Sequence, residues 1–255
     1  MSTFIQIIMK CLMAFLFLFS CFFFLSDEMK NQMKFDLITV LLGSSIQQET
    51  SFVQVSAETV NRPIKVYLYN THQSEEYIDG VTVYEVTSMF AQMLRSEGVD
   101  VVFETADFLE ELSLQNKKYN QLYTISRVHL EDALVEHGPF DLILDVHRDS
   151  TSRSVSVVEQ DGIEYARLMF VIGEKSSNAS DVRALSSALS DKMNHMLSGI
   201  MREPFSRQSV YNQDMVNHML LLEVGSDQNT SSEALRSLRI FVQMLKREGY
   251  LYDGF

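Results

Sequence analysis

Two histidines and two glutamates follow or end β-type runs of the sequence and have the chemistry of a metal site. His72 and Glu75 come directly after "IKVYLYN", in "THQSEEY". His147 directly follows "LILDV", and Glu223 lies near the end of "MLLLEV". Two imidazoles and one carboxylate are a ligand set of catalytic Zn²⁺, which leaves a position for water and lowers its pKa to about 7. A further carboxylate can then act as general base. A single histidine after a strand is more often a polar surface or core residue, so the prediction depends on all four residues meeting.

The elements that must position these residues alternate between strands and helices. Strands are predicted at 64–70, 99–105, 140–149, 166–173 and 219–225, and helices at 83–98, 125–138, about 180–200 and 231–249. This alternation predicts an α/β fold with a mostly parallel sheet flanked by helices on both faces. Sites in such sheets gather beyond the carboxyl ends of the strands, which is where His72, His147 and Glu223 fall.

The N-terminal segment has the composition of a membrane anchor. Counted from Phe4 to Leu25, its apolar run is long enough for a bilayer core, which needs about 20 residues. No small-residue cleavage site follows the run, so a single transmembrane helix at 1–26 is favoured over a cleaved signal peptide. We expect a polar linker at 27–63 and one domain at 64–255, with an extracytoplasmic location plausible for the domain.

Charge and cysteine content exclude two classes of site. The net charge is −13 and no basic cluster stands out, so nucleic acid is not an expected partner. Cys11 and Cys21 both lie in the apolar segment, which leaves the domain without a thiolate for a metal or a disulfide of its own.

Six ordered sequence blocks resemble the stage II sporulation protein P family, cell-wall hydrolases of endospore-forming bacteria related to zinc-dependent N-acetylmuramoyl-L-alanine amidases. The blocks are "YLYNTHQSEEY", "YNQLYTISR", "ILDVHRDS", "LMFVIG", "YNQDM" and "LLEVGSDQNTSSEAL". The resemblance implies hydrolysis of the bond between N-acetylmuramic acid and L-alanine of peptidoglycan, and endopeptidase activity on cross-links for the family as a class. It also implies a single membrane anchor with the domain outside, and partnership with other engulfment proteins of stage II sporulation.

The resemblance also implies roles for individual residues. His72 and His147 would be zinc ligands and Glu223 the catalytic carboxylate. For the third ligand, Glu75 matches the family motif and is preferred, while Glu85 sits where the wider zinc amidases keep their ligand glutamate. Arg148 could stabilise an oxyanion or hold a stem-peptide carboxylate, and Asp145 could orient His147. A helix-capping or packing role is expected for Ser126 and Arg127.

The sequence departs from the family pattern at Asn70, Glu76 and Ser226, and the loop before the first helix is short. None of these changes removes a proposed ligand. Two other functions stay open at this point. One is a catalytically silent relative that binds wall peptides or a sporulation protein, and the other is a zinc carboxypeptidase-like peptidase, since "HxxE" also suits that chemistry.

Overall fold

The computed structural model describes residues 62–253, which form a mixed α/β fold. The predicted anchor at 1–26 and almost all of the predicted linker lie outside the described residues. Within 62–253, no helix is both long and apolar enough to cross a membrane.

The described residues contain eight strands and seven α-helices. The strands are β1 (Lys65–Tyr69), β2 (Asp100–Phe103), β3 (Leu142–Asp149), β4 (Val157–Gln160), β5 (Ile163–Ala166), β6 (Leu168–Gly173), β7 (Phe205–Arg207) and β8 (Met219–Ser226). The helices are α1 (Val83–Ser96), α2 (Phe108–Leu114), α3 (Leu122–His137), α4 (Arg153–Ser156), α5 (Ala179–Met196), α6 (Ser231–Arg247) and α7 (Tyr250–Asp253). Every strand and helix predicted from the sequence is present, whereas α2, α4, α7, β4, β5 and β7 had not been predicted.

The central sheet has six strands in the order β2-β1-β3-β8-β6-β7. All its neighbours are parallel except β6 and β8, which are antiparallel. The mostly parallel sheet of the prediction is therefore confirmed, with two strands, β6 and β7, running opposite to the other four. The antiparallel hairpin of β4 and β5 lies between β3 and β6 in the chain and forms a separate two-stranded sheet.

Strand alternation divides the core between the two faces of this sheet, because successive side chains of a strand point to opposite faces. On one face, α1, α5 and α6 cover apolar residues such as Leu68, Leu144 and Leu222. On the other face, α2 and α3 pack on a smaller cluster that includes Tyr67 and Ile143. Helices therefore pack on both faces, but those of the second face contact mainly the β1 and β3 side.

Local signals fix the starts of two of the helices that pack on this sheet. Thr82 caps α1 and Thr230 caps α6, each in a reciprocal capping box with a glutamate three residues later, Glu85 and Glu233. Such boxes satisfy backbone N–H groups that have no partner inside the helix. The turn before α1 and the turn before α6 are thus held firmly next to the carboxyl ends of β1 and β8.

Candidate active site

His72, Glu75 and His147 form a group with the geometry of a metal site. One ligand atom from each lies within 4.8 Å of the other two. The Glu75 carboxylate lies between the histidines, with Oε1 3.4 Å from Nδ1 of His72 and Oε2 3.7 Å from Nδ1 of His147. The structure therefore brings together three of the predicted ligands, and their two nitrogens and one oxygen match the donor set of catalytic zinc.

Asp145 connects the strand that carries His147 to the turn that carries His72. Its side chain is fully buried and accepts hydrogen bonds from Thr71, at 2.8 Å from the backbone N–H and at 2.7 Å from the hydroxyl. Oδ1 of Asp145 also lies 2.9 Å from Nε2 of His147, although the angle is not that of a hydrogen bond. One carboxylate thus contacts His147 and also holds the turn of His72 through Thr71. The sequence had predicted only the contact with His147.

The charges in this group change the pKa values of its members. Burial alone would raise the pKa of Glu75, but hydrogen bonds with His147 and His72 outweigh it and lower that pKa. Burial would likewise lower the pKa of His147, yet the charges of Asp145 and Glu75 hold it well above its usual range. Since zinc binds the neutral imidazole, a metal ion must displace this proton, so zinc affinity should fall as pH is lowered.

Glu223 lies on β8 directly opposite His147 of β3 in the parallel register. Its carboxyl is largely buried and Oε2 has no hydrogen-bond partner. Burial raises the pKa of Glu223 to about 7, helped by the charge of Glu75 and opposed by that of His147. A carboxyl with a pKa near neutrality can both take and give a proton at neutral pH, which general acid-base catalysis requires.

A pocket of about 540 Å³ contains all four residues. Its apolar floor is made by Met169, Val171 and Leu221, which form a small cluster of their own on the second face of the sheet. Tyr123 and Tyr211 form part of the wall, with ring centroids 5.4 Å apart. The pocket is large enough for part of a peptide or sugar, with the metal group along one side.

Arg148 lines the same pocket, but much of its hydrogen-bonding capacity is directed at backbone groups. Its Nε donates to the carbonyl of Glu76 at 2.9 Å and its Nη1 to the carbonyl of Asp149 at 3.4 Å. Its backbone N–H donates to Oε2 of Glu75 at 3.2 Å. The predicted contact of Arg148 with substrate stays a prediction, and the structure adds a role in holding the Glu75 turn.

Glu85 is not part of the group that His72, Glu75 and His147 form. Its Oε2 accepts hydrogen bonds at 2.8 Å from both the backbone N–H and the hydroxyl of Thr82, which completes the capping box of α1. The side chain is used to begin a helix, and a ligand role would break this cap. The geometry therefore favours Glu75 as the third ligand, and the choice between the two glutamates stays a prediction.

Sequence reasoning missed the aromatic and polar residues that surround His72. The His72 ring stacks on Tyr119 at 5.1 Å and meets the edge of Tyr123 at 5.6 Å. Ser126 is buried within α3, where its hydroxyl accepts a hydrogen bond from Asn212 and lies 3.0 Å from the hydroxyl of Thr71, whose own proton goes to Asp145, so the capping role expected for Ser126 is wrong. The signal was the spacing in "YNQLYTISR", which places Tyr119, Tyr123 and Ser126 on neighbouring turns.

Comparisons with known proteins agree with these motifs. The sequence model of the family "Stage II sporulation protein P (SpoIIP)" matches residues 27–246. A relative named "Stage II sporulation protein P", from Bacillus subtilis (strain 168), is 31% identical over 191 residues, which are 68% of this chain and 48% of that protein. The chain therefore spans about half the length of this relative.

Solved structures with a similar backbone include two amidases. One is the CwlD amidase from Clostridioides difficile in complex with the GerS lipoprotein, at 11% identity and a TM-score of 0.49, covering 72% of this chain and 97% of that one. Another is an N-acetylmuramoyl-L-alanine amidase from Clostridium difficile 630, at 11% identity and a TM-score of 0.45, covering 75% of this chain and 97% of that one.

Proposed function

Because the chain belongs to the stage II sporulation protein P family, we propose that it is a zinc-dependent peptidoglycan hydrolase that remodels the cell wall during sporulation. The proposed reaction is hydrolysis of the amide bond between N-acetylmuramic acid and L-alanine, with stem-peptide cross-links as a second substrate. The observation that carries this proposal is the group of His72, Glu75 and His147, with the buried carboxyl of Glu223 on the adjacent strand.

The residues present fit a zinc ion by their chemistry. His72, Glu75 and His147 would hold it, and the buried Asp145 beside His147 is the kind of carboxylate that orients a ligand histidine. When bound, zinc would supply a Lewis acid that polarises a carbonyl and lowers the pKa of water. Three protein ligands leave a coordination position open, as catalytic sites do and structural zinc sites do not.

Glu223 has the position and pKa for the proton transfers of amide hydrolysis. In the proposed reaction its Oε2 takes a proton from the attacking water, whose oxygen bonds to the lactyl carbonyl carbon. The carbon–nitrogen bond then breaks, and the same proton goes to the departing amine of L-alanine. The products are a muramic carboxylic acid and a stem peptide with a free amino group. The apolar floor of the pocket keeps Glu223 poorly solvated, which supports this role.

The proposed location follows from the N-terminal segment and the substrate. We propose that residues 1–26 anchor the chain in the cell membrane and that the catalytic domain lies outside, where peptidoglycan is found. Other stage II sporulation proteins of engulfment are the proposed partners. Proteolysis of intact protoplasts, followed by detection of the domain, would test this orientation, and a domain protected from protease would contradict it.

Mass spectrometry of purified sacculi digested with the full chain tests metal, reaction and substrate together. We expect stem peptides with a free L-alanine amino group, released with zinc and not after chelation. His147→Ala should lose both zinc and activity, whereas His195→Ala, which changes an exposed histidine on α5, should keep both. Glycan-linked stems that are only shortened would indicate a carboxypeptidase-like enzyme. Wall binding without any product would indicate a catalytically silent relative.

Glu223→Gln separates the catalytic role from a ligand role. We expect the variant to retain stoichiometric zinc and to lose about 10²–10⁴-fold in rate, the usual contribution of general acid-base catalysis. Metal analysis of the purified variant gives the first result and the sacculus digest gives the second. Loss of zinc in Glu223→Gln would instead make Glu223 a ligand.

A further inference from the structure

Three arginines line the pocket of the metal group in a chain that is otherwise strongly acidic. They are Arg148, Arg202 and Arg207. The chain carries 34 acidic and 21 basic residues, so most of its cations have carboxylates available as partners. Cations that remain without such a partner inside a pocket are candidates for binding an anionic group of a ligand.

Two of the three arginines are already engaged. Arg202 donates from Nη1 to Oδ2 of Asp149 at 2.6 Å, in a partly buried ion pair. Arg148 gives Nε and Nη1 to backbone carbonyls, as described above. Arg207 differs from both, because its guanidinium has no ion pair with a carboxylate of residues 62–253 and its contact is the ring of Phe205 at 4.5 Å.

The edge strand β7 holds Arg207 in a defined place beside the pocket. Arg207 pairs with Gly173 in the parallel ladder of β6, and its backbone carbonyl accepts from the N–H of Glu174 at 2.8 Å. Phe205 and Arg207 are two residues apart on a strand, so their side chains leave the same face. The stacked ring restricts the guanidinium plane while leaving its N–H edges exposed, which suits it to a planar carboxylate.

The distance from the metal group to β7 sets which part of a substrate could reach Arg207. Strand β7 lies three strand positions from β3, which is about 14 Å at a spacing of about 4.8 Å, and Arg207 is displaced by a further ~13 Å along the strands, because it pairs with Gly173, four residues from the Met169 that pairs with Glu223. An extended peptide advances about 3.3–3.6 Å per residue. The two displacements combine to about 20 Å between the backbone positions, so a carboxylate about four residues from the cleaved bond would lie within reach of the extended side chain of Arg207.

The opposite side of the His72 turn has a different chemistry. A second groove of about 390 Å³ is lined mainly by uncharged residues, among them Gln73, Ser74, Thr82 and Tyr84, and its charged member is Asp107. It offers hydroxyl groups and an aromatic ring and has no cation among its lining residues. An anionic peptide is thus favoured on the β7 side, and not on the side of this second groove.

From these observations we infer that Arg207 is a specificity-determining residue that binds a free carboxylate of the stem peptide on the amine side of the cleaved bond. This inference rests on the proposed function, and it adds the orientation of the substrate. The peptide runs from the metal group over the floor of Met169 and Val171 toward β7. Amidation of the peptide carboxylates is expected to weaken recognition at this position.

The test compares two synthetic muramoyl tetrapeptides, one with all peptide carboxylates free and one with all of them converted to primary amides. The zinc-loaded full chain, Arg207→Gln and Arg239→Gln are assayed for kcat/KM, and their affinities are measured by calorimetry. Arg239 is an exposed arginine of α6 that does not line the pocket, so it controls for the loss of one positive charge. We expect the wild type to prefer the free acid by about three- to tenfold, mainly through KM.

In Arg207→Gln the ratio of the two kcat/KM values should fall to about one, and in Arg239→Gln it should stay at the wild-type value, since Arg207 lines the pocket and Arg239 does not. An unchanged acid preference in Arg207→Gln would overturn the inference, as would a wild type without any preference. If neither compound is cleaved but calorimetry shows an acid preference that depends on Arg207, the proposed hydrolase fails and the carboxylate site stands. If both are cleaved equally by all three proteins, the hydrolase stands and the carboxylate site fails.

Discussion

Asp145→Asn tests whether one buried carboxylate holds both histidines of the metal group. Asn has almost the same shape as Asp, but its NH₂ group cannot accept a hydrogen bond. Both oxygens of Asp145 accept from Thr71, so one donor of Thr71 must face the new NH₂ group. A lost hydrogen bond to a charged group together with an unpaired buried donor costs about 3 kcal/mol. For a domain of this size that corresponds to a fall in Tm of about 6–12 °C without metal.

The effect on zinc is separable from this loss of stability. Removal of a residue that orients a ligand histidine weakens metal binding by about 10–100-fold. At a zinc concentration 100 times the wild-type Kd, the metal adds about 2.7 kcal/mol to the free energy of unfolding of the wild type. A tenfold weaker variant would gain about 1.4 kcal/mol, and a 100-fold weaker one about 0.4 kcal/mol. The gain from zinc should therefore shrink by at least about half.

Urea unfolding with chelator and with buffered zinc measures both quantities on the same protein. Asp191→Asn, which changes an exposed carboxylate on α5, is the matched control and should alter neither. If Asp145→Asn unfolds like the wild type in chelator and gains as much stability from zinc, Asp145 does not position the histidines. A loss of stability in chelator with the full zinc gain retained would limit its role to holding the Thr71 turn.

Three further outcomes are expected from other parts of the site and fold. Metal analysis should show that Glu75→Gln loses most of its zinc, whereas Glu85→Gln keeps it and unfolds at a slightly lower urea concentration, because the negative charge at the N-terminus of α1 is lost. The reverse pattern would make Glu85 the ligand. Burial raises the pKa of Glu233, but hydrogen bonds to its carboxylate outweigh this and lower the pKa. Its stabilising effect is therefore present above the ordinary glutamate pKa of about 4.3 and is lost as pH falls through the lower folded value, so Glu233→Gln should unfold with a flatter pH dependence in acid. Gly225 has φ +67° and a Cβ there would meet side-chain atoms at 2.7 and 2.8 Å, so urea unfolding of Gly225→Ala should show a loss of about 2–4 kcal/mol. Gly80→Ala, with φ +77° and open space, should lose less, and equal losses would mean that the close contacts are relieved.

The strands and long helices were predictable because their signals are local. Runs of β-branched and aromatic residues mark the inner strands. Because parallel strands run in the same direction, their carboxyl ends lie at one edge of the sheet. This is why the sequence alone predicts that His72, His147 and Glu223 lie near each other. The family membership was also identified from the sequence blocks and is confirmed by the match over residues 27–246.

The remaining features depend on contacts between residues distant in the sequence. The sequence motif prefers Glu75 but leaves Glu85 open, and what separates them in the structure is the turn that Asp145 fixes from 74 positions away through Thr71. The edge strand β7 has three residues, which is too short for any periodic pattern. Its Arg207 lines the pocket because β7 pairs with β6, which in turn pairs with β8.

The position of the pocket follows from the period of two in the strands. In β3 and β8, every second residue from Leu142 and from Leu220 packs into the larger core. The intervening positions, Asp145, His147 and Glu223, must therefore leave the sheet on its second face. Helices α2 and α3 contact mainly the β1 and β3 part of that face, so the part over β8 and β6 is left as an open floor of apolar side chains.

The same alternation that builds the core thus places the carboxyl of Glu223 beside that floor. The poor solvation that results raises the pKa of Glu223 toward neutrality and makes it able to transfer protons.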